Sequence, residues 1–107
     1  KTVRKVMLYI HNKYDSPMDL KTIADQLKVN SSYLSRLFHQ EYGCTLTQFI
    51  NSQRINHGMS LLQLTDQSVQ DVAAACGIQD VNSFIKLFKK QTGLTPMQFR
   101  ISNRNER

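Results

Sequence analysis

Two stretches of the chain place polar or cationic side chains at helical spacing, opposite the apolar residues of the same predicted helix. The positions that face outward in the first stretch are Ser32, Ser35, Arg36 and His39, and those in the second are Val81, Asn82, Ile85, Lys86 and Lys89. Neither set contains an acid, although the chain has eight Asp and Glu residues. Because an acid there would repel phosphate groups, this pattern suits a polyanionic partner.

Several of these side chains match the edges of DNA base pairs. The fork of Arg36 can bind guanine O6 and N7 together, or the residue can lie on a solvated face, and Asn82 could read adenine. Val81 and Ile85 could contact thymine methyl groups, and Ile85 could equally be a partly buried core residue. The ammonium group of a lysine cannot form the planar, bidentate pair of hydrogen bonds that an arginine forms with guanine, so we expect Lys86 to contact a phosphate rather than guanine. Ser32, Ser35 and His39 are three further candidates, and each could contact a base, a phosphate or only water.

Contacts with the DNA backbone are expected from residues beside these positions and from helix starts. The backbone candidates are Gln40, Thr45, Lys89, Lys90 and Thr95. Free N–H groups at the first turn of a helix can meet phosphates, and helix starts are expected near Asp19, Thr45, Ser68 and Thr95.

The composition favours the same kind of partner. The 107-residue chain has fourteen Lys and Arg and eight Asp and Glu, which give a formal net charge of +6. A positive charge of this size favours binding to a nucleic acid or to an anionic membrane, although it is also found in basic domains that bind neither. No apolar run reaches the ~18 residues of a membrane span and no export signal is visible, so we expect no membrane partner and a cytoplasmic location. A start at Lys1 without Met leads us to expect a piece of a longer protein.

Catalytic and metal-binding motifs are missing from the sequence. We find no Gly-rich phosphate loop, nucleophile elbow or paired metal ligands, so we expect no enzyme activity, no metal and no cofactor. Cys44 and Cys76 lie outside any CxxC spacing and are expected to be reduced and half-buried.

Apolar residues recur with helical period along the whole chain, which predicts an all-α fold of seven helices. The expected helices cover about residues 2–14, 19–27, 31–42, 45–64, 68–76, 80–93 and a last short one from 95. Asp19, Thr45, Ser68 and Asp80 are the expected N-caps, and residues 15–18 form a turn. Gly58 inside the longest helix should weaken it by about 1 kcal/mol relative to Ala.

The chain repeats itself with an offset of about 50 residues. The identical pairs are Leu37/Leu87, Phe38/Phe88, Gly43/Gly93, Thr45/Thr95, Gln48/Gln98 and Phe49/Phe99. Upstream the offset becomes 49, as in Ala24/Ala73, which places one inserted residue in the turn before the sixth helix. Each copy is therefore a short helix, a tight turn and a longer helix, which is either a generic helical hairpin or a helix-turn-helix unit.

We expect two helix-turn-helix subdomains, residues 1–44 and 65–107, joined by a linker helix at 45–64. A helix of about 20 residues rises ~30 Å, close to the ~34 Å of one DNA turn. The two second helices could thus enter successive major grooves, and because they differ in sequence the site should be asymmetric.

The chain resembles the AraC/XylS family of bacterial transcription regulators. That family carries the pattern A-x-x-x-G-F-x-D-x-x-x-F-x-R-x-F-K-x-x-x-G-x-T-P-x-x-[FY]-R, which stands here as Ala73, Gly77, Ile78, Asp80, Phe84, Lys86, Phe88, Lys89, Gly93, Thr95, Pro96, Phe99 and Arg100. The first unit is similar at 20–27 and 33–38. The resemblance implies double-stranded DNA as the partner, contacts with RNA polymerase, and a separate N-terminal sensor or receiver domain.

The chain departs from the family pattern at several positions. Lys86 replaces Arg and Ile85 replaces a small polar residue, while Lys28 stands where the turn usually has Gly and should adopt a left-handed conformation. The rival reading is a module of the same fold that binds DNA mainly without sequence preference, or binds a protein partner.

Overall fold

In the computed structural model, which describes residues 2–13 and 20–105, the chain forms seven α-helices, as expected. They are α1 (Thr2–Lys13), α2 (Leu20–Gln26), α3 (Ser31–Tyr42), α4 (Leu46–Leu64), α5 (Val69–Ala75), α6 (Val81–Thr92) and α7 (Pro96–Asn105). The last helix is longer than expected, with ten residues. The predicted turn at 15–18, the Asp19 cap and the terminal charges Glu106 and Arg107 lie outside the described residues.

The helices form two compact units, Lys1–Gln53 (unit 1) and Arg54–Arg107 (unit 2). In unit 1, α3 packs against α1 and α2, and in unit 2, α6 packs against α5 and α7. The core of unit 1 consists of Val6, Ile10, Ile23, Ala24, Leu34, Phe38, Leu46 and Ile50. The core of unit 2 consists of Ile55, Leu62, Val72, Ala73, Cys76, Phe84 and Phe88. Of the apolar positions that recur in the two copies, Phe38 and Phe88 are buried in the cores, and Phe49, Leu87 and Phe99 are partly buried and pack against them.

The turn between the two helices of each helix-turn-helix unit has the same hydrogen-bonded form. The Val29 N–H donates to the Ala24 carbonyl at 2.9 Å, and the Ile78 N–H donates to the Ala73 carbonyl at 2.9 Å. The left-handed residue before each donor is Lys28 (φ 58°) in unit 1 and a glycine (φ 86°) in unit 2. The expected left-handed lysine is confirmed.

The residues that are identical in the two copies build one structural module, which we call the stop-and-cap module. In unit 1, Gly43 ends α3 in a left-handed conformation (φ 74°). Thr45 then begins α4 by a reciprocal capping box, since its N–H donates to Gln48 Oε1 (2.9 Å) and its Oγ1 accepts from the Gln48 N–H (3.1 Å). The rings of Phe38 and Phe49 lie edge to face with centroids 5.5 Å apart.

Unit 2 repeats the stop-and-cap module with nearly the same dimensions. Gly93 ends α6 at φ 85°. Thr95 and Gln98 form the second capping box with the same distances, 2.9 and 3.1 Å. Phe88 and Phe99 form the second aromatic pair at 5.4 Å. Identity between the copies thus serves the scaffold that holds α3 and α6.

Gly58 is more than a weak position in α4, because it allows close packing inside unit 2. A Cβ at this position would lie 3.0 Å from Phe84 Cζ and 3.3 Å from Cys76 Sγ. Phe84 is fully buried and packs against Phe88, so it has little freedom to move away. The missing side chain therefore lets α4 approach α6 at the cost of helix propensity.

Candidate nucleic-acid interface

The second helices of the two units, α3 and α6, expose corresponding positions. In both helices the fourth and eighth residues are buried, and the first, fifth and seventh are half-buried. The residues that are exposed in the first ten positions define the outward face of each helix. On α3 they are Ser32, Tyr33, Arg36, His39 and Gln40, and on α6 they are Asn82, Ser83, Lys86, Lys89 and Lys90. The 50-residue repeat therefore holds for side-chain exposure as well as for sequence.

The start of each of these helices is fixed by a side-chain cap. Asn30 caps α3 by accepting from the Tyr33 N–H at 3.1 Å. Asp80 caps α6 with both carboxylate oxygens, since Oδ1 accepts from the Asn82 N–H at 3.2 Å and Oδ2 accepts from the Ser83 hydroxyl at 2.8 Å. The backbone N–H of Asn82 is used in this cap, whereas the side-chain amide of Asn82 remains available to a ligand.

Most predicted base-contacting residues are exposed on the outward faces. Ser32, Arg36 and His39 share the outward face of α3, and Asn82 and Lys86 share that of α6. The other three predicted residues, Ser35, Val81 and Ile85, are half-buried at the edge of these faces. Val81 packs against the core of unit 2, so only part of its side chain is open to a ligand.

The predicted backbone-contacting residues divide into two groups. Gln40, Lys89 and Lys90 are exposed in the second half of their helices. Thr45 and Thr95 instead use their amides and hydroxyl oxygens inside the capping boxes. An α-helix leaves its first amides without an intrahelical acceptor, so beside Thr45 it is the N–H groups of the following two residues that can reach a phosphate.

Two residues that the sequence reading did not assign stand out in the structure. Tyr33 is 47% exposed on the outward face of α3, one turn before Arg36, and this i, i+3 spacing is the signal that could have revealed it. Arg100 lies within the cationic C-terminal part of the chain, yet its guanidinium caps the end of α4. Its Nε donates to the Leu62 carbonyl at 3.1 Å and its Nη2 to the Thr65 carbonyl at 3.3 Å.

The charge on the two outward faces is unequal. The outward face of α6 carries three lysines, whereas that of α3 carries one permanent cation, Arg36. Because non-specific affinity for DNA grows with the number of phosphates neutralised, α6 is the better suited of the two to hold the backbone. The arginine fork makes α3 the better suited to read a base.

The buried thiol of Cys76 belongs to the core of unit 2. Burial raises its pKa to about 12, and the nearby Arg54 guanidinium offsets part of that rise. Cys76 is completely buried rather than half-buried as expected, whereas Cys44 is half-buried, and both are free thiols. At neutral pH the Cys76 thiol is therefore protonated.

Two further properties of the described residues bear on function. Across the described parts of the chain, His, Cys, Asp and Glu side chains form no cluster of three or more that could hold a metal ion. Among the helices described above, none combines the length and the apolar character needed to cross a membrane.

The chain is similar to known transcription regulators. A family model described as a helix-turn-helix domain matches residues 23–102. The melibiose operon regulatory protein of Escherichia coli K12 is 32% identical over 98 residues, which are 92% of this chain and 32% of that protein. The chain thus spans about a third of the length of most curated relatives it matches, and 12% of the regulator YtdP of Bacillus subtilis.

Solved structures show the same fold. The C-terminal domain of AraT, a response regulator from Geobacillus stearothermophilus, is 28% identical with a TM-score of 0.93 over 94% of this chain and 84% of that one. The DNA-binding domain of AdpA, a global transcriptional factor in complex with a target DNA, has a TM-score of 0.94 at 24% identity over 100% of this chain and 96% of that one. Taken with the family match, these likenesses show that the chain belongs to the AraC-type helix-turn-helix family, the DNA-binding domains of transcription regulators, which are not enzymes.

Proposed function

We propose that the chain binds a specific, asymmetric site on double-stranded DNA, with α3 and α6 in successive major grooves. The observation that carries the proposal is that the two helices share one exposure pattern but present different chemistry on it. A shared pattern supports the same docking mode for both helices, and unequal side chains favour unequal half-sites. The 19-residue length of α4, a rise of about 28 Å, supports the successive grooves. A footprint confined to one groove would count against this arrangement.

Base reading is assigned mainly to α3. Arg36 is exposed and pairs with guanine O6 and N7, with Ser32, Ser35 and His39 beside it. On α6, Asn82 reads adenine, Val81 and Ile85 contact thymine methyl groups, and Lys86 lies at a phosphate. These roles are our proposal for this chain.

The assignment of Arg36 is tested by random-site selection with the native chain and with Arg36→Lys and Arg36→Ala. Arg36→Lys keeps the charge but loses the fork, so both variants should flatten the preference at one base position, a loss of ~1–3 kcal/mol of discrimination. Lys86→Ala is the matched control on α6 and should leave that position unchanged. If Arg36→Ala weakened binding to specific and random duplexes equally, Arg36 would be a backbone contact and the assignment would fail.

We assign binding of the DNA phosphate backbone to Lys89 and Lys90, together with Gln40 and the helix starts at Thr45 and Thr95. Lys89→Ala should weaken binding to all sequences alike and reduce the slope of log Kd against log salt by about 1, because one fewer counterion is released. Lys28→Ala removes a cation outside the outward faces and should leave the slope nearly unchanged. A loss restricted to the selected sequence would contradict the assignment of Lys89 to a phosphate.

Competition between the selected duplex and random duplex separates the proposed function from its rival. Specific binding predicts that random DNA competes at least ~10³-fold less well. Equal competition would show a module of the same fold that binds DNA without sequence preference, a possibility that the lysine-rich α6 keeps open.

The proposal extends to the longer protein of which we infer this chain to be a part. The chain spans about a third or less of the length of the regulators it matches, which leaves room for a sensor or receiver domain ahead of it. We further propose contacts with RNA polymerase at the promoter, and a place of action on the bacterial nucleoid in the cytoplasm. Two-hybrid or pull-down assays between the chain and RNA polymerase subunits, with and without promoter DNA, test the first of these.

A further inference from the structure

An apolar groove of about 320 Å³ lies on the surface of unit 2, at the edge of the outward face of α6. It is lined by Val69, Val81, Ile85, Thr95, Pro96 and Met97. The residues come from the start of α5, the first half of α6 and the start of α7. Apart from the hydroxyl of Thr95, their side chains offer a ligand only apolar surface.

The corresponding positions of unit 1 are more polar. Through the repeat, Val81, Ile85 and Met97 correspond to Ser31, Ser35 and Thr47, and Ser31 and Ser35 are half-buried like their counterparts in α6. The other positions do not change character, since Thr95 corresponds to Thr45, Val69 to Leu20 and Pro96 to Leu46. The two units therefore share a scaffold but differ at three lining positions, which are apolar in unit 2 and carry hydroxyl groups in unit 1.

The neighbours of the groove indicate what occupies it. Ile85 lies one helical turn from Lys89 and next to Lys86, and both lysines are exposed. Asn82 lies one turn before them on the same side. The two exposed lysines favour an anionic partner such as DNA, and the apolar lining favours an apolar group on that partner. In the DNA major groove the apolar group that a side chain meets is the 5-methyl group of thymine.

We propose that unit 2 selects thymine by burying its 5-methyl group in this groove against Val81 and Ile85, whereas unit 1 makes no such selection. The inference rests on the proposed function and deepens it, because it gives the two halves of the site different reading chemistry.

The test replaces thymine by deoxyuridine, which removes the methyl group and leaves every base-pairing and hydrogen-bonding group in place. Duplexes carrying the sequence found by random-site selection are made with one such replacement at a time, and Kd is measured for the native 107-residue chain. Burial of a methyl group corresponds to about 0.8 kcal/mol, so each contacted thymine should lose roughly 3- to 4-fold in affinity on replacement. The sensitive positions should lie in only one half of the site.

Matched variants assign the effect to the groove. Ile85→Ser gives α6 the residue that α3 has at Ser35, and Val81→Ser is a second, independent change. Either variant should bring the thymine-to-uracil affinity ratio close to 1, whereas Gln63→Ala, at an exposed position of α4 outside both outward faces, should leave the ratio unchanged. Each ratio is measured on one protein preparation, so a partly unfolded variant still reports it correctly.

The outcomes separate this inference from the function on which it rests. If the native chain prefers the selected duplex over random DNA but binds its thymine and uracil forms equally, the inference is wrong and the proposed function stands. A thymine preference that survives both serine variants would also overturn the inference, because the methyl group would then be read elsewhere. No preference for the selected duplex would refute the proposed function itself.

Discussion

Lys28 adopts the left-handed conformation in the turn between α2 and α3, where unit 2 has Gly77. For an L-residue with a Cβ this conformation costs ~1–2 kcal/mol, because the Cβ approaches the following carbonyl oxygen. The change Lys28→Gly removes that cost and therefore tests whether the turn of unit 1 is strained.

The expected gain follows from two opposing effects. Removing the Cβ relieves ~1–2 kcal/mol of strain, and glycine loses about 0.5–1 kcal/mol through its greater freedom in the unfolded chain. Lys28 is exposed, and its N–H bond to the Asp25 carbonyl (3.2 Å) involves only backbone atoms, so no packing and no hydrogen bond is lost. Lys28→Gly should thus raise the free energy of unfolding by about 0.5–1 kcal/mol, which corresponds to roughly 2–6 °C in Tm.

The assay is urea denaturation followed by far-UV circular dichroism at constant salt and pH. Lys28→Ala is the matched control, because it removes the same charge but keeps the Cβ. Gly43→Ala in the same unit makes the reverse change at φ 74°, where an added Cβ meets no atom within 4 Å, so it should lose about as much as Lys28→Gly gains. The strain argument is refuted if Lys28→Gly is no more stable than Lys28→Ala.

Three further predictions concern unit 2. Gly58→Ala should lower the free energy of unfolding by about 1 kcal/mol despite better helix propensity, since its Cβ overpacks against Phe84; a gain in urea denaturation would contradict this. The raised pKa of Cys76 stabilises the fold below pH 9, the usual thiol value, and this contribution disappears as pH rises toward 12. Native protein should therefore lose stability between pH 9 and 11 faster than Cys76→Ala, by up to about 1.4 kcal/mol per pH unit, and parallel pH profiles would be the negative result. Arg100→Ala should cost about 1–3 kcal/mol by removing the two hydrogen bonds that its guanidinium donates to the Leu62 and Thr65 carbonyls, and Arg100→Lys should recover only part of it. Equal Tm values for all three proteins would show that the contact adds nothing.

The features that could be predicted from sequence are those set by neighbours along the chain. Gly43 and Gly93 end helices because glycine tolerates the left-handed conformation, and Ser68 caps α5 by accepting from the Asp71 N–H at 3.0 Å. The left-handed Lys28 was predicted from the family resemblance, because Lys28 stands where the turn of that family usually has Gly. Local rules of this kind place the helices to within a residue or two.

The features that could not be predicted depend on residues far apart in sequence. From sequence alone, Gly58 only weakens α4, whereas in the structure it makes room for Phe84. Arg100 is one of several cations near the C-terminus in the sequence, whereas in the structure its guanidinium donates to a carbonyl at the end of α4. For the candidate site, exposure of the polar positions followed from helical period. For Ile85 the sequence left a base contact and a partly buried position equally open, because its position on α6 lies at the boundary between the inward and outward faces, and the residue is half-buried.

The stop-and-cap module has a consequence for how such a protein can change. None of its interactions (the glycine stop, the Thr–Gln capping box and the aromatic pair) uses a residue of the outward faces of α3 and α6, although Thr95 also lines the groove beside α6. A substitution on either outward face therefore leaves the module intact, and each unit has a module of its own. Sequence preference in one half of a DNA site can consequently be altered without compensating changes in the other half, so a new target is accessible through single, individually tolerable mutations.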